Sequence, residues 1–117
     1  MSDTEANRAV ITNAFTAIAA GNGRPFVDMM SADIAWRIIG ATAWSKTYKG
    51  KGEVLALLKA LGDQFVDGKN NIQAHRILAD GDCVVVEARG DNMTVTGKSY
   101  ANEYCWVFRF ERGQVVQ

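Results

Sequence analysis

The sequence has little of what would bind a metal or cross a membrane. It contains one histidine, one proline and two cysteines among 117 residues. Cys83 and Cys105 lack metal-type spacing, and His75 does not complete a zinc site with them. No metal and no cofactor are therefore predicted, and both thiols are expected to be free and half-buried. No apolar run approaches the roughly 20 residues that span a bilayer.

An excess of charge of one sign is also missing. Thirteen basic and thirteen acidic residues cancel, and no run of lysine or arginine marks a surface for phosphate groups. Nucleic acid and membranes are therefore not expected partners, and a small hydrophobic or weakly polar molecule fits better. Residues 1–5 are polar and acidic, unlike a secretory signal, so a cytoplasmic location is expected.

The chain has the length of one domain with one core, assigned to residues 1–117. Apolar residues recur at helical spacing over residues 10–18, 26–30 and 54–65, with Gly21 ending the first helix and Pro25 in the first turn of the second. A strand is predicted at 33–39. Alternating strands follow residue 70, with turns at 79–82, near 94–98 and at 111–114. Helices before an antiparallel sheet predict an α+β fold with helices on one face.

The long strand at residues 99–111 carries an aromatic row with polar members. A strand presents alternate residues to the same side, so one face combines Asn102, Tyr104, Trp106 and Phe108. Because the amide and the phenol need internal hydrogen bonds or a ligand, this face is interpreted as the wall of a pocket.

Glu87 is the carboxylate expected beside this row. In the register that we expect, Glu87 and Arg89 lie across from Tyr104 and Asn102 on the inward face. Burial in a dry cavity would raise the pKa of Glu87 towards useful acid–base work. The alternative is that Glu87 pairs with Arg89 or Arg109 on a solvated face.

His75 lies in the predicted strand at 72–78, with Gln73 and Ile77 on its face. Imidazole titrates near neutral pH, so His75 is a candidate proton shuttle. The alternative is a surface or core-edge histidine that holds one hydrogen bond.

Several short motifs, taken in order, resemble one family. They are Ala-Gly-Asn at 20–22, Ser-Ala-Asp at 31–33, Trp44 with Tyr48 and Gly50, Ala-Asp-Gly-Asp at 79–82, and Phe-Arg-Phe at 108–110 before Gly113. Together they resemble the SnoaL-like branch of the NTF2-like superfamily, which includes ketosteroid isomerases. The resemblance implies a cone-shaped, strongly curved sheet around the first and third helices, a blind pocket, and a homodimer formed through the outer sheet face.

The family pattern gives three further aromatic residues a place at the pocket. Trp36, Trp44 and Tyr48 are expected at its far wall or in a lid over it. The alternative is core packing, which suits large rings.

The resemblance does not extend to ketosteroid isomerisation. The family's general-base aspartate falls near Ile38, its oxyanion tyrosine near Ala14 and its protonated aspartate near Trp106. None of these side chains can move the proton or hold the enolate.

Three classes of function remain. The first is an acid–base enzyme acting on a small oxygenated organic molecule, such as a cyclase, dehydratase or isomerase; an epoxide hydrolase is less favoured, since its Asp-Arg-Asp set has no clear counterpart. The second is a non-catalytic binding protein, and the third is a dimerisation module. The missing pair of titratable groups favours the second. In the family the final strand usually continues, whereas only three residues follow the turn at 111–114, as expected of a shortened variant or of a piece of a longer chain.

Overall fold

The computed structural model describes residues 3–41, 44–63, 72–93, 95–97 and 99–117, with the backbone alone for 99–102. The helices in these ranges are α1 (Asp3–Ala19), α2 (Arg24–Asp28) and α3 (Lys51–Gly62). The strands are β1 (Ala35–Arg37), β2 (Thr47–Lys49), β3 (Ile72–Asp80), β4 (Cys83–Met93), β5 (Ser99–Glu111) and β6 (Gln114–Val115). The predicted α+β class is confirmed.

Helix α1 covers the inner face of the sheet. Its core side is formed by Ile11, Ala14 and Phe15, which are at most 2% exposed and recur at helical spacing. The helix packs against β3 and β4. Gly21 follows its last turn with φ +87°, a conformation that favours glycine.

The main sheet has the order β3-β4-β5-β6 and is antiparallel throughout. Along β4, Val84, Val86 and Ala88 are fully buried and face inward. The alternate residues of β4 therefore face outward. The predicted turn at 111–114 is confirmed, since Arg112 and Gly113 have φ of 53° and 79°, as in the two-residue turns that join twisted strands.

The register between β4 and β5 differs by one residue from the expected one. Tyr104 lies opposite Ala88, and Glu87 lies opposite Cys105. Because side chains alternate between faces, a shift of one residue moves a side chain to the other side of the sheet. The prediction that Glu87 and Arg89 face inward beside Tyr104 was therefore wrong.

Strand β3 contains a β-bulge at His75. The pairing with β4 shifts between Ala74 and Arg76, which leaves His75 as the extra residue. The prediction that Gln73 and Ile77 share its face was wrong, because Ile77 lies opposite the buried Val86 while Gln73 is exposed.

Strands β1 and β2 form a separate antiparallel pair, with Trp36 opposite Tyr48. Tyr48 lies in β2 and is 7% exposed. Helix α3 follows and packs against β2.

The residues after β5 join β1 to the main sheet. Val115 N–H donates to Met29 O at 2.9 Å, and Ala35 N–H donates to Val116 O at 3.0 Å. On its other side Val116 N–H donates to Arg109 O at 2.9 Å. Residues 115–117 therefore lie between β5 and the stretch that leads into β1.

Some residues used in the sequence predictions lie outside the described residues. They are Phe65 at the end of the third predicted helix, Thr94 and Lys98 at the ends of a predicted turn, and the side chain of Asn102. None of the described helices is both long and apolar enough to span a membrane.

Candidate functional site

A cleft of about 420 Å³ lies between β1 and the edge of β5 that faces away from β4. Its inner walls carry Trp36 from β1 and Trp106 and Phe108 from β5. Its outer rim carries Val107 and Arg109 from the other face of β5. Because residues of both faces of β5 line it, the cleft extends from the apolar inner side of the sheet to its solvated outer side.

Aromatic rings connect the two walls through the core. The Trp106 ring is 5.4 Å from Phe15, the Phe15 ring is 5.8 Å from Phe26, and the Phe26 ring is 6.0 Å from Trp36, all between centroids. Phe15 and Phe26 are buried, whereas Trp36 and Trp106 are partly exposed. The buried rings thus hold two accessible indoles in position.

Tyr104 extends the aromatic wall along β5. Its ring is stacked on that of Trp106, with centroids 4.8 Å apart and planes 13° from parallel. The prediction that Tyr104, Trp106 and Phe108 share one face is confirmed, since Phe108 packs against Phe15 on the same side. Asn102 lies opposite Gly90 in the register.

Tyr48 and Trp44 are used structurally and are not among the residues that line the cleft. The Tyr48 hydroxyl donates to Trp44 O at 2.8 Å, and Lys46 Nζ lies 4.7 Å from the centre of its ring. Trp44 is partly buried against the core. The core-packing alternative therefore describes Tyr48 better than a lid.

Glu87 and Arg89 lie on the outer face of the sheet. Glu87 Oε1 is 3.0 Å from Arg76 Nε, and the two side chains are 44% and 54% exposed. The partner is Arg76, whereas the sequence suggested Arg89 or Arg109. Arg89 is exposed and lies opposite Glu103. The side chains of Glu87 and Arg89 do not line the cleft, and neither does the exposed His75 on β3.

Two charged residues at the cleft were missed by the sequence interpretation as site residues. Arg37 and Arg109 both line it. Arg37 directly follows Trp36, a residue that the sequence did place at the pocket, and this neighbourhood could have identified it as a site residue. Arg109 is brought there by the final hairpin, whose pairing extends to residue 117.

Cys83 also lines the cleft. Partial burial, its hydrogen bond to Asp82 Oδ1 at 3.5 Å and the charge of that carboxylate raise the pKa of the Cys83 thiol. The thiol is therefore uncharged at neutral pH. The described residues contain no group of three or more histidine, cysteine or acidic side chains that could hold a metal ion.

Comparison with known proteins gives the family. The model of the SnoaL-like domain matches residues 11–117, and no curated protein matches the chain. Bal32a from a soil-derived mobile gene cassette superposes with a TM-score of 0.85 at 20% identity, covering 98% of this chain and 87% of that one. An NTF2-like protein of unknown function from Burkholderia pseudomallei superposes with a TM-score of 0.82 at 19% identity, covering 99% of this chain and 87% of that one.

A third structure was determined with a small molecule. TerC, co-crystallised with polyporic acid, gives a TM-score of 0.78 at 15% identity, with 95% of this chain and 86% of that one covered. At these identities the likeness is one of fold. Since the family model extends over most of the sequence, the chain belongs to the SnoaL-like domain family and has the NTF2-like fold of these relatives.

Proposed function

We propose that this protein binds a small, mainly apolar organic molecule in the cleft, between the indoles of Trp36 and Trp106. The observation that carries the proposal is the pair of partly exposed indoles that line one cavity from two different strands, β1 and β5. Large rings held in place by a buried core offer contact area at little cost in conformational entropy.

The size and lining of the cleft support this function. Its volume of about 420 Å³ lies within the range of roughly 300–1,000 Å³ typical of small-molecule sites. The inner walls are apolar, with Met29, Ile34 and Phe108 around the two indoles. A flat molecule fits between two such rings better than a long flexible one.

The likeness to TerC supports a small organic ligand, because that protein was co-crystallised with polyporic acid. The sequence predicts an oxygenated ligand, and this agrees with the polar rim that Arg37 and Arg109 form at the cleft. Both observations favour a ligand with an apolar body and a polar end.

The proposed function is binding, without an assigned acid–base step. A proton-transfer step needs a carboxylate or imidazole within hydrogen-bond reach of the substrate. Among the described residues that line the cleft, the ionisable side chains are two cysteines and two arginines. Glu87 is paired with Arg76 on the outer face, and His75 is exposed at a bulge on β3.

The experiment is a ligand screen followed by affinity measurements on variants. A panel of flat, ring-containing compounds would be tested by ligand-detected NMR, and dissociation constants of the hits would be measured by calorimetry. We expect Trp36→Ala and Trp106→Ala each to weaken binding by about 1–3 kcal/mol through lost ring contact.

The matched control is Leu78→Ala, which removes an apolar side chain that is 51% exposed and is not among the cleft residues. It should leave the dissociation constants unchanged. Hits whose affinity is the same in both tryptophan variants would contradict the proposed site, as would a panel without hits.

A further inference from the structure

The charged side chains at the cleft are all of one sign. Arg37 and Arg109 line it, and neither an aspartate nor a glutamate is found among its described lining residues. The whole chain has a formal net charge of zero, so this positive rim is a local feature. Two carboxylates contact lining residues without lining the cleft themselves: Asp82 accepts a hydrogen bond from Cys83, and Glu111 pairs with Arg109.

The two arginines differ in how they are held. Arg109 Nη1 is 2.9 Å from Glu111 Oε1, and Arg109 Nε donates to Gln117 Oε1 at 3.2 Å. Its guanidinium therefore already has an acidic partner and an amide acceptor. The side chain of Arg37, in contrast, makes no ion pair or hydrogen bond with any residue in the described ranges.

The geometry orders the apolar and cationic parts of the cleft. Trp36 and Arg37 are successive residues of β1, so their side chains leave the strand on opposite faces. On β5 the same alternation directs Trp106 inward, while Val107 is 62% exposed on the outer face. The cleft therefore has an aromatic inner part and a cationic outer rim.

We propose that the ligand of this cleft is an amphiphilic organic acid, with a flat apolar body between Trp36 and Trp106 and a carboxylate or similar oxyanion paired with Arg37. This inference rests on the proposed binding function and names its ligand class. A guanidinium donates two parallel hydrogen bonds to a carboxylate. Its attraction is strengthened where the apolar body of the ligand displaces water beside it.

The test uses two probes of the same shape that differ in charge, 2-naphthoate and 2-naphthamide. Dissociation constants would be measured by calorimetry for the wild type, for Arg37→Gln and for Lys59→Gln. Lys59 is an exposed residue of α3 that pairs with Asp63, so its substitution changes the net charge equally at a distance from the cleft.

We expect the wild type to bind the naphthoate about tenfold more tightly than the amide, as one charge-assisted contact provides. Arg37→Gln should remove this preference and leave amide binding unchanged, whereas Lys59→Gln should keep the preference. Raising the salt concentration should weaken naphthoate binding alone, since the pair is near solvent.

Two outcomes would overturn the inference in different ways. If both probes bind equally, or if Arg37→Gln leaves their ratio unchanged, the acid class is wrong while the binding function stands. If neither probe binds, the ligand class fails together with the proposed binding function for flat aromatic molecules.

Discussion

The ring of Tyr104 lies flat on that of Trp106, with centroids 4.8 Å apart. This arrangement depends on Gly90, because a Cβ atom there would come within 2.9 Å of Tyr104 Cε2. Gly90 has no left-handed backbone conformation, so the reason for glycine at this position is the space that the tyrosine ring occupies.

Gly90→Ala should displace Tyr104 and open the stack. Overpacking of this kind costs about 1–3 kcal/mol of unfolding free energy, and we expect a changed near-ultraviolet circular dichroism signal from the tryptophan. In a Tyr104→Ala background, where the colliding ring is absent, the same substitution should have little effect.

The control for that experiment is Gly52→Ala in α3, where a Cβ atom would meet no neighbour within 4 Å. Alanine is the better helix former by about 1 kcal/mol, so this variant should be neutral or more stable. An equal effect of Gly90→Ala with and without Tyr104 would show that the space under the ring is not the cause.

Glu87→Gln should leave ligand binding in the cleft unchanged. The ion pair with Arg76 is exposed, so the loss of unfolding free energy should be below about 1 kcal/mol. A double-mutant cycle with Arg76→Gln, followed by chemical denaturation, would measure the coupling. Loss of affinity in the Glu87 variant would instead mean that its carboxylate acts at the site.

The amides of β5 should alternate in hydrogen exchange. Phe110 N–H donates to Asp82 O on the β4 side, whereas Arg109 N–H donates to Gln117 O on the cleft side. The strand continues without a bulge, so the amides of Glu103, Cys105 and Val107 face the cleft edge, where no described residue pairs with them. Those of Tyr104, Trp106 and Phe108 face β4.

We therefore expect the three cleft-side amides to exchange at least about tenfold faster than the three that bond to β4. Exchange measured residue by residue by NMR tests this, and the α1 amides serve as a protected reference. Uniform protection along β5 would show that another segment pairs with this edge.

Cys83 should ionise at higher pH than a free cysteine. A Cys105→Ser variant leaves it as the single thiol, and the rate of its reaction with a disulfide probe reports the thiolate fraction. Asp82→Asn should lower the pH at which half of the Cys83 thiol is ionised, because it removes the negative charge and the carboxylate acceptor. The remote substitution Asp63→Asn should not change this pH. Since the folded pKa is raised, the stability contributed by the neutral thiol is lost as pH rises through that pKa.

The homodimer remains a prediction. Val107, Leu78 and Met93 are 62%, 51% and 48% exposed on the outer face, which suits an apolar contact. Val107→Glu should weaken association about tenfold or more in sedimentation, whereas Leu55→Glu on α3 should not. A wild type that is monomeric at micromolar concentration would contradict the dimer.

Properties set by a single strand or helix were predictable from the sequence. The shared face of Tyr104, Trp106 and Phe108 follows from the period of the strand, and the packing of Ile11, Ala14 and Phe15 from that of the helix. Neither depends on which element lies next to it.

Properties that depend on how strands pair were not predictable from the sequence. The register between β4 and β5 depends on the length of the turn that joins them. Because the observed register differs by one residue from the expected one, Ala88 lies on the inner face opposite Tyr104, where Glu87 was expected. The bulge at His75 likewise inserts a residue that no alternation pattern reveals. The cleft joins Trp36 to Trp106, which are far apart in the sequence and meet through tertiary packing.

Ligand binding between Trp36 and Trp106 is tested most directly by titrating the three indole N–H signals with 2-naphthoate and 2-naphthamide in two-dimensional NMR. We expect the signals of Trp36 and Trp106 to shift together along one saturable curve, while that of Trp44, which does not line the cleft, changes little. No shift, or equal and unsaturable shifts of all three, would contradict binding between the two indoles.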